Sequence, residues 1–197
     1  MKSLKRLACL PLLAFLAACA APVPQQAPDE VARLARGIAA LSGEIDPQEA
    51  RRAADIAINY PMVLRTRYQV EDRALIHNMK VNAGRKPRGL CWHWAQDLQD
   101  RLAGEGFQTL TLHRAIANAH TRLLIDHSTV IISARGDTME QGMVLDPWRF
   151  GGVLYWAPTR EDEKYDWVPR QEVFAMKRAR SAGRGHDPSS EPLPAAP

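Results

Sequence analysis

The first half of the chain carries hydrophobic residues at helical spacing. Positions three and four residues apart predict a first helix after a cap at Asp29, and they are Val31, Leu34, Ile38 and Leu41. A second helix is predicted to begin at Asp46-Pro47, since proline fits the first turn of a helix, and to end at Pro61. The helical pattern continues from Arg65 to His77, where we expect Val70, Ala74 and Leu75 to be buried.

A cysteine-headed helix follows the polar loop Asn82 to Gly89. The helix is predicted to begin at Cys91 and to end at Gly104 and Gly106. Its buried stripe consists of Cys91, Trp94, Ala95, Leu98 and Leu102, at offsets of 0, 3, 4, 7 and 11. The thiol therefore lies at the start of the helix, where free backbone N–H groups and a partial positive charge favour a thiolate and can bind an oxyanion.

After this helix the hydrophobic period changes from 3.6 to 2, which is typical of strands. The predicted strands are 107–113, 128–133, 142–146 and 153–156. Helices followed by strands predict an α+β fold with an antiparallel sheet, and they argue against a doubly wound one. A two-residue turn at Gly136-Asp137 would place His127 directly opposite Asp146 on one face. A turn at Gln141-Gly142 would break that pairing, so both registers stay open.

The N-terminus has the pattern of an export signal. Three basic residues precede the apolar run Leu7 to Leu16, which is too short to span a bilayer, and Leu16-Ala17-Ala18-Cys19 follows. This resembles a bacterial lipobox, which implies a signal peptide at 1–18, lipid on Cys19 and a membrane-anchored protein. Ala20 after the cysteine implies the outer membrane, facing the periplasm. The alternative is an ordinary secretory signal.

Composition and charge define the remaining segments. We predict a lipidated, proline-rich tether at 19–28, a single domain at 29–178, and a disordered tail at 179–197 rich in Ala, Gly, Ser and Pro. The net charge of +4 comes largely from the signal, which holds 3 of the 26 basic residues. The rest of the chain has 23 basic and 22 acidic residues and is therefore close to neutral. With no basic stripe in the domain, we expect no nucleic-acid partner.

Cys91 is the principal candidate for chemistry. Of the three cysteines, Cys9 leaves with the signal and Cys19 carries lipid, so only Cys91 remains as a thiol. An unpaired cysteine in an oxidising compartment suggests a reactive role, and we expect it to be accessible. The alternative is a small buried hydrophobic residue.

The order of Cys91, His127 and Leu145-Asp146-Pro147 resembles the transglutaminase-like (papain-like) cysteine hydrolase superfamily over about Gly89 to Trp148. The resemblance implies a cysteine-headed helix packed on an antiparallel sheet that carries the histidine and the aspartate. It also implies that Cys91 is the nucleophile, His127 the general base and acid, and Asp146 the residue that holds the imidazole. The residue that completes the oxyanion hole is expected in the loop 82–88.

Other residues compete for roles near this site. His120 and His113 are alternatives to His127 as the base, whereas His93 is predicted to point away from the thiol. Trp92 and Trp148 are candidate substrate-binding residues, as is Arg149, whose alternative role is an ordinary ion pair. No recognised zinc-ligand spacing occurs, and we predict neither a metal nor a cofactor.

The predicted function is a lipid-anchored thiol hydrolase or acyl transferase that acts on amide bonds of peptides or proteins in the cell envelope. Two alternatives remain. One is a papain-like endopeptidase, which would have a second histidine in place of Asp146. The other is an inert descendant of the enzyme fold that serves as a binding or assembly lipoprotein.

Overall fold

The computed structural model describes residues 26–121 and 123–185; the predicted signal, Cys19 and the end of the predicted tail lie outside them. The fold is α+β, as the sequence predicts. The helices are α1 (Glu30–Ala39), α2 (Pro47–Arg67), α3 (Ala74–Asn82), α4 (Cys91–Ala103) and α5 (Arg170–Gly185). The strands are β1 (Leu110–Ala117), β2 (His127–Ala134), β3 (Met143–Phe150), β4 (Val153–Pro158) and the short β5 (Val168–Pro169).

The five strands form one antiparallel sheet in the order β4-β3-β2-β1-β5. Helices α1, α2 and α4 supply Leu34, Ala57 and Leu98 to the main core against Val130 and Leu145 of the sheet. Every residue of β2 is buried. The central strand is therefore covered on both faces, and the first residue of this strand is His127.

The second helix does not end at Pro61. The helix begins at Pro47 as predicted, and Asp46 caps it, with its Oδ1 accepting a hydrogen bond from the Gln48 N–H at 2.9 Å, but the helix continues through Pro61 to Arg67. A proline inside a helix removes one backbone hydrogen bond. Beyond it, Leu64 and Tyr68 pack into a cluster of buried side chains with Cys91, Trp94 and Trp148. The burial of that cluster offsets the cost of the proline.

The prediction of one continuous helix over Arg65 to His77 is also wrong. The chain turns at Gln69, which has a φ of 56°, before α3 begins at Ala74. Val70 is buried as expected, but Leu75 is exposed. In α3 the polar His77 and Asn78 are buried, while the apolar Leu75, Ile76 and Met79 face solvent. Hydrophobic periodicity fails here because the helix packs through polar contacts.

The strands confirm the predicted sheet but not its register. Val130 pairs with Leu145 and Ile132 with Met143, so the register is displaced by two residues from the one that opposes His127 to Asp146. Neither two-residue turn occurs, because residues 135–142 form a longer connection that contains the 3-10 turn Met139–Gln141. A two-residue displacement keeps each side chain on the same face. His127 and Asp146 consequently remain diagonal neighbours.

Residues 179–185, predicted as the start of the disordered tail, belong to α5. The helix is anchored by Val173, which is fully buried against Ile116 and Ala119. Its later residues 179–182 are exposed, and exposed helix needs little apolar content when it extends from an anchored turn. Within the residues described, no helix is both long and apolar enough to cross a membrane.

Candidate active site

Cys91 begins α4, and the polar groups before it are ordered by a histidine. The His93 Nδ1 accepts hydrogen bonds from the backbone N–H groups of Gly89 at 3.1 Å and Leu90 at 3.2 Å. This is the returning half of a capping box. Burial lowers the pKa of His93, which keeps the ring neutral and Nδ1 free to accept. His93 therefore points away from the thiol, as predicted, and fixes the backbone that presents it.

The Cys91 thiol is less accessible than predicted. The residue is only 7% exposed, and its Sγ lies 3.5 Å from the backbone carbonyl oxygen of Asp126. Two contacts hold the end of the loop between β1 and β2 over the thiol. The Asn118 Nδ2 donates to the Ile125 carbonyl at 3.1 Å, and Lys177 of α5 pairs with the Asp126 carboxylate. A thiol at a helix start becomes buried here because a distant loop covers it.

His127 and Asp146 form a direct contact. The His127 Nε2 lies 2.6 Å from the Asp146 Oδ2, and the side chains are 3% and 1% exposed. The other carboxylate oxygen, Oδ1, accepts from the backbone N–H of Trp148 at 3.1 Å. The carboxylate thus assigns the proton on Nε2 and leaves Nδ1 for a second partner. Nδ1 is buried and forms no hydrogen bond of standard geometry with the residues described.

The protonation state of His127 follows from its neighbours. Burial on its own lowers the pKa of this imidazole, but the charge of Asp146 and its hydrogen bond outweigh burial and raise the pKa to about 9. Cys91 also contributes to the increase. The Cys91 Sγ contacts the carbonyl oxygen of Asp126, the residue directly before His127. Burial works against the Asp146 carboxylate, but His127 and Arg149 lower its pKa overall.

Three aromatic rings enclose the imidazole. The ring centroids of Trp148 and Tyr165 both lie 4.6 Å from that of His127, and the centroid of Trp167 lies 5.4 Å away. Rings at this distance exclude water and strengthen the contact between His127 and Asp146. Trp148 was predicted as a site residue. Tyr165 and Trp167 were not, because they lie about 20 residues further along the chain in an irregular segment without hydrophobic periodicity.

Arg149 occupies the other side of the Asp146 carboxylate. Its Nε donates to Asp146 Oδ2 at 2.6 Å, and its two terminal nitrogens bind the carboxylate of Asp162. The Arg149 side chain is 5% exposed, and its guanidinium lies 3.8 Å from the centroid of the Tyr155 ring. These contacts match the ion-pair alternative for Arg149 and occupy the fork predicted to bind a substrate carboxylate. Asp162 was missed because a single acidic residue carries no sequence signal.

Trp92 and Trp148 differ in their surroundings. Trp92 is 50% exposed and packs on the ring of His93. Trp148 is 9% exposed, and its Nε1 donates to the buried Asn78 Oδ1 at 3.1 Å. Asn78 therefore fixes the ring that covers the imidazole, and α3 contributes to the site although no sequence pattern pointed to it.

The alternative bases do not reach this arrangement. His113 Nε2 hydrogen-bonds to the Ser133 hydroxyl at 2.7 Å, and burial lowers the pKa of His113. His120 is exposed in the loop after β1. Of the three histidines, His127 alone contacts the Asp146 carboxylate. Among the residues that the structure describes, no group of His, Cys, Asp or Glu side chains is arranged to hold a metal ion.

The loop 82–88, where an oxyanion partner is expected, is tied to α4 through Arg88. Arg88 pairs with Asp97 of α4 at 2.7 Å and lies over the ring of Tyr68. These contacts hold the loop against α4. The first N–H groups of a helix have no intrahelical acceptor. In α4 these are the N–H groups of Cys91 and Trp92, since the His93 N–H already donates to the Leu90 carbonyl at 2.9 Å.

Comparisons of the chain with protein-family models, with curated proteins and with solved structures found no match.

Proposed function

We propose that this protein is a thiol hydrolase or acyl transferase of the transglutaminase-like type, with Cys91 as nucleophile, His127 as base and acid, and Asp146 as the orienting carboxylate. The observation that carries the proposal is the contact of 2.6 Å between His127 Nε2 and Asp146 Oδ2. The Cys91 Sγ, at the start of α4, lies 3.5 Å from the carbonyl oxygen of Asp126, the residue directly before His127. Nucleophile, base and orienting group in this order constitute a catalytic triad.

The reaction would begin with attack of the Cys91 thiolate on the carbonyl carbon of an amide or ester. The oxyanion that forms would accept a hydrogen bond from the Cys91 backbone N–H. His127 would give its Nδ1 proton to the leaving nitrogen or oxygen as the C–N or C–O bond breaks, which leaves a thioester on Cys91. The neutral imidazole would then take a proton from water or an amine, whose attack on the thioester releases the acyl product and restores the thiol.

Arg149 and Asp162 would act as positioning residues in this scheme. With His127 neutral, the three groups Asp146, Arg149 and Asp162 carry one net negative charge, and protonation of His127 brings the cluster to neutrality. A buried cluster of this kind favours the imidazolium, and an imidazolium beside a cysteine favours the thiolate. The imidazole would thus carry its positive charge before substrate binds.

The setting in the cell follows from the N-terminal pattern. A lipid on Cys19 would hold the domain at the outer membrane, facing the periplasm, where its substrates would be peptides or proteins of the envelope. We propose no nucleic-acid partner and no cofactor.

An inert binding lipoprotein is the second candidate, and the burial of Cys91 favours it, since a thiol that is 7% exposed and lies against the Asp126 carbonyl oxygen has little surface open to a substrate. The papain-like alternative with a second histidine is not favoured, because Asp146 occupies the position beside His127.

The pH dependence of alkylation at Cys91 separates these proposals. The chain from residue 19 onward with Cys19→Ser has one thiol and is treated with iodoacetamide, as are its His127→Ala and Asp146→Ala variants. Fast labelling well below pH 8 that slows in both variants supports the triad. His113→Ala is the matched control and is expected to label like the parent chain. Slow labelling that is indifferent to His127 would leave the binding lipoprotein as the better reading.

A further inference from the structure

Helix α3 and the loop before β2 together expose a set of large aliphatic side chains beside the candidate active site. The members are Leu75 at 56%, Ile76 at 48%, Leu123 at 94%, Leu124 at 55% and Ile125 at 65% exposure. They line a cleft of about 690 Å³, which we call the aliphatic cleft. Soluble proteins rarely leave so many neighbouring aliphatic side chains in water without a binding role.

The orientation of α3 strengthens this observation. The helix buries His77 and Asn78 and presents Leu75 and Ile76 to the cleft. His77 Nε2 is held by the Arg88 carbonyl at 2.9 Å, and Asn78 Oδ1 by the Trp148 indole at 3.1 Å. The polar face is thus tied to the loop before Cys91 and to the ring that covers His127. Functional surfaces are where the hydrophobic pattern of a sequence and the burial of its side chains are expected to disagree, as they do in α3.

The cleft is continuous with the candidate reaction centre. His127, which is 2% exposed, and Trp148, which is 9% exposed, are among its lining residues and are far more buried than the aliphatic residues. They therefore form its inner end. The flat surface of a bilayer cannot reach His127 and Trp148 at the inner end, whereas a narrow extended chain, such as a peptide, can. The volume is in the range of sites for small ligands or a few residues of peptide.

The lining also favours a peptide over a hydrocarbon chain. Asn118 and Tyr165 interrupt the aliphatic wall, and an extended peptide needs hydrogen-bonding groups for its backbone as well as apolar surface for its side chains. An acyl chain would place hydrocarbon against these polar groups and against the charged side chains of Asp126 and Lys164 in the same lining. The occupant that matches both kinds of lining is a peptide segment with large aliphatic side chains.

The position of the cleft assigns it to one half of the substrate. Asp146 occupies the Nε2 of His127, so a proton can leave this ring only from Nδ1. The leaving group must approach His127 to receive that proton. The cleft is lined by His127 and not by Cys91, so it extends from the leaving-group side of the site.

We infer that the aliphatic cleft binds the leaving half of a peptide substrate and selects large aliphatic residues just after the reacting bond. The inference rests on the proposed function for its direction along the substrate. By microscopic reversibility, the same cleft would bind the amine that attacks the thioester in a transfer reaction.

The first experiment measures binding without catalysis. The chain from residue 19 onward with Cys19→Ser and Cys91→Ala is titrated with the dipeptide amides Leu-Leu-NH₂ and Gly-Gly-NH₂ and followed by NMR. We expect Leu-Leu-NH₂ to bind at least about tenfold more tightly, and Ile76→Ser or Leu124→Ser to remove most of that preference. Val63→Ser is the matched control, because Val63 is 45% exposed on α2 and does not line the cleft. It should leave binding unchanged.

The second experiment measures acyl transfer with Cys91 present. The chain is acetylated with p-nitrophenyl acetate, and the partition of the acetyl group between water and each dipeptide is measured. Capture by Leu-Leu-NH₂ that exceeds capture by Gly-Gly-NH₂, and that falls in Ile76→Ser but not in Val63→Ser, supports the inference.

Other outcomes are distinguishable. Equal binding of the two dipeptides overturns the inference whether or not Cys91 is acetylated. Selective binding without acetylation at Cys91 overturns the proposed function, and with it the assignment to a leaving group. The chain could instead associate with itself, or with vesicles of phosphatidylethanolamine and phosphatidylglycerol, while neither dipeptide binds. If that association is lost in Ile76→Ser, the cleft has an occupant other than a peptide, and the inference is overturned.

Discussion

The imidazole of His127 is buried among charges that differ in sign, and the sum of those charges decides its protonation. Asp146 and Asp162 contribute two negative charges, and Arg149 contributes one positive charge between them. Burial alone would expel a proton from the ring, but the carboxylate at 2.6 Å outweighs it. The same interaction that keeps the ring protonated therefore also contributes to the stability of the fold.

This coupling predicts a loss of stability in alkaline solution. The pKa of His127 is about 9 in the folded chain and about 6.5 when unfolded. A raised folded pKa gives stabilisation that is complete below about pH 6.5 and is lost as the pH rises through about 9. We expect the free energy of unfolding to fall by about 3 kcal/mol over that range, relative to Asp146→Asn. Urea denaturation at a series of pH values measures it.

His113→Gln serves as the control for that measurement, since burial lowers the pKa of His113 and its titration has the opposite sign. It should retain the alkaline loss. Parallel pH profiles for the parent chain and Asp146→Asn would contradict the proposed role of the carboxylate.

At the scale of elements, the start of α4 depends on a close approach of α3. Gly89 has a φ of +126°, and a Cβ added there would lie 2.3 Å from His77 Nε2. The absence of a side chain at Gly89 thus lets His77 reach the carbonyl of Arg88, which lies three residues before Cys91. The stability of α4 and the placement of the aliphatic cleft are linked through this contact.

Gly89→Ala is therefore expected to destabilise the chain by more than about 3 kcal/mol, since it combines backbone strain with a clash against a buried ring. Gly84→Ala is the matched control, because Gly84 also has a positive φ of +69° but no atom within 4 Å of an added Cβ. It should cost about 1–2 kcal/mol from backbone strain alone. Thermal or urea denaturation of both variants measures the difference, and equal losses would show that His77 gives way.

The sequence predicts some elements well and others poorly, for physical reasons. The buried stripe from Cys91 to Leu102 has regular spacing because α4 packs on the core through one face. That spacing predicts both that the segment is a helix and that the helix begins at Cys91. Helix α3 packs through His77 and Asn78, so hydrophobic periodicity misplaces its buried face. The interior Pro61 is tolerated through contacts with residues far along the chain, which no local rule contains.

The site divides in the same way. The pairing of His127 with Asp146 is predictable because alternation fixes the face of a strand even when the register is displaced by two residues. The groups that surround the pair, Tyr165, Trp167 and Asp162, come from a segment without regular spacing. The loop that covers Cys91 is likewise set by Asn118 and Lys177, whose contacts are tertiary. Burial of the thiol could not be predicted from the helix alone.

For the molecule as a whole, the three cysteines have separate predicted fates, and that separation is testable. Cys9 lies in the predicted signal and Cys19 at its end, both outside the described residues, whereas Cys91 lies inside the domain. If Cys19 is the lipidated residue, then the full chain expressed in a bacterium should incorporate labelled palmitate and sediment with membranes. Cys19→Ser should lose both properties, because no other group in the predicted tether provides comparable apolar area.

Cys9→Ser and Cys91→Ser are the matched controls, and both should keep the label and the membrane fraction. Retention of the label in Cys19→Ser would contradict the lipid anchor, and loss of the label in Cys91→Ser would place the acyl group on the candidate nucleophile. In that second case the label should be released by neutral hydroxylamine, since a thioester is cleaved by it while the amide-linked chain of a lipoprotein is not. The experiment therefore separates a cysteine that holds the protein at a membrane from a cysteine that forms an acyl intermediate.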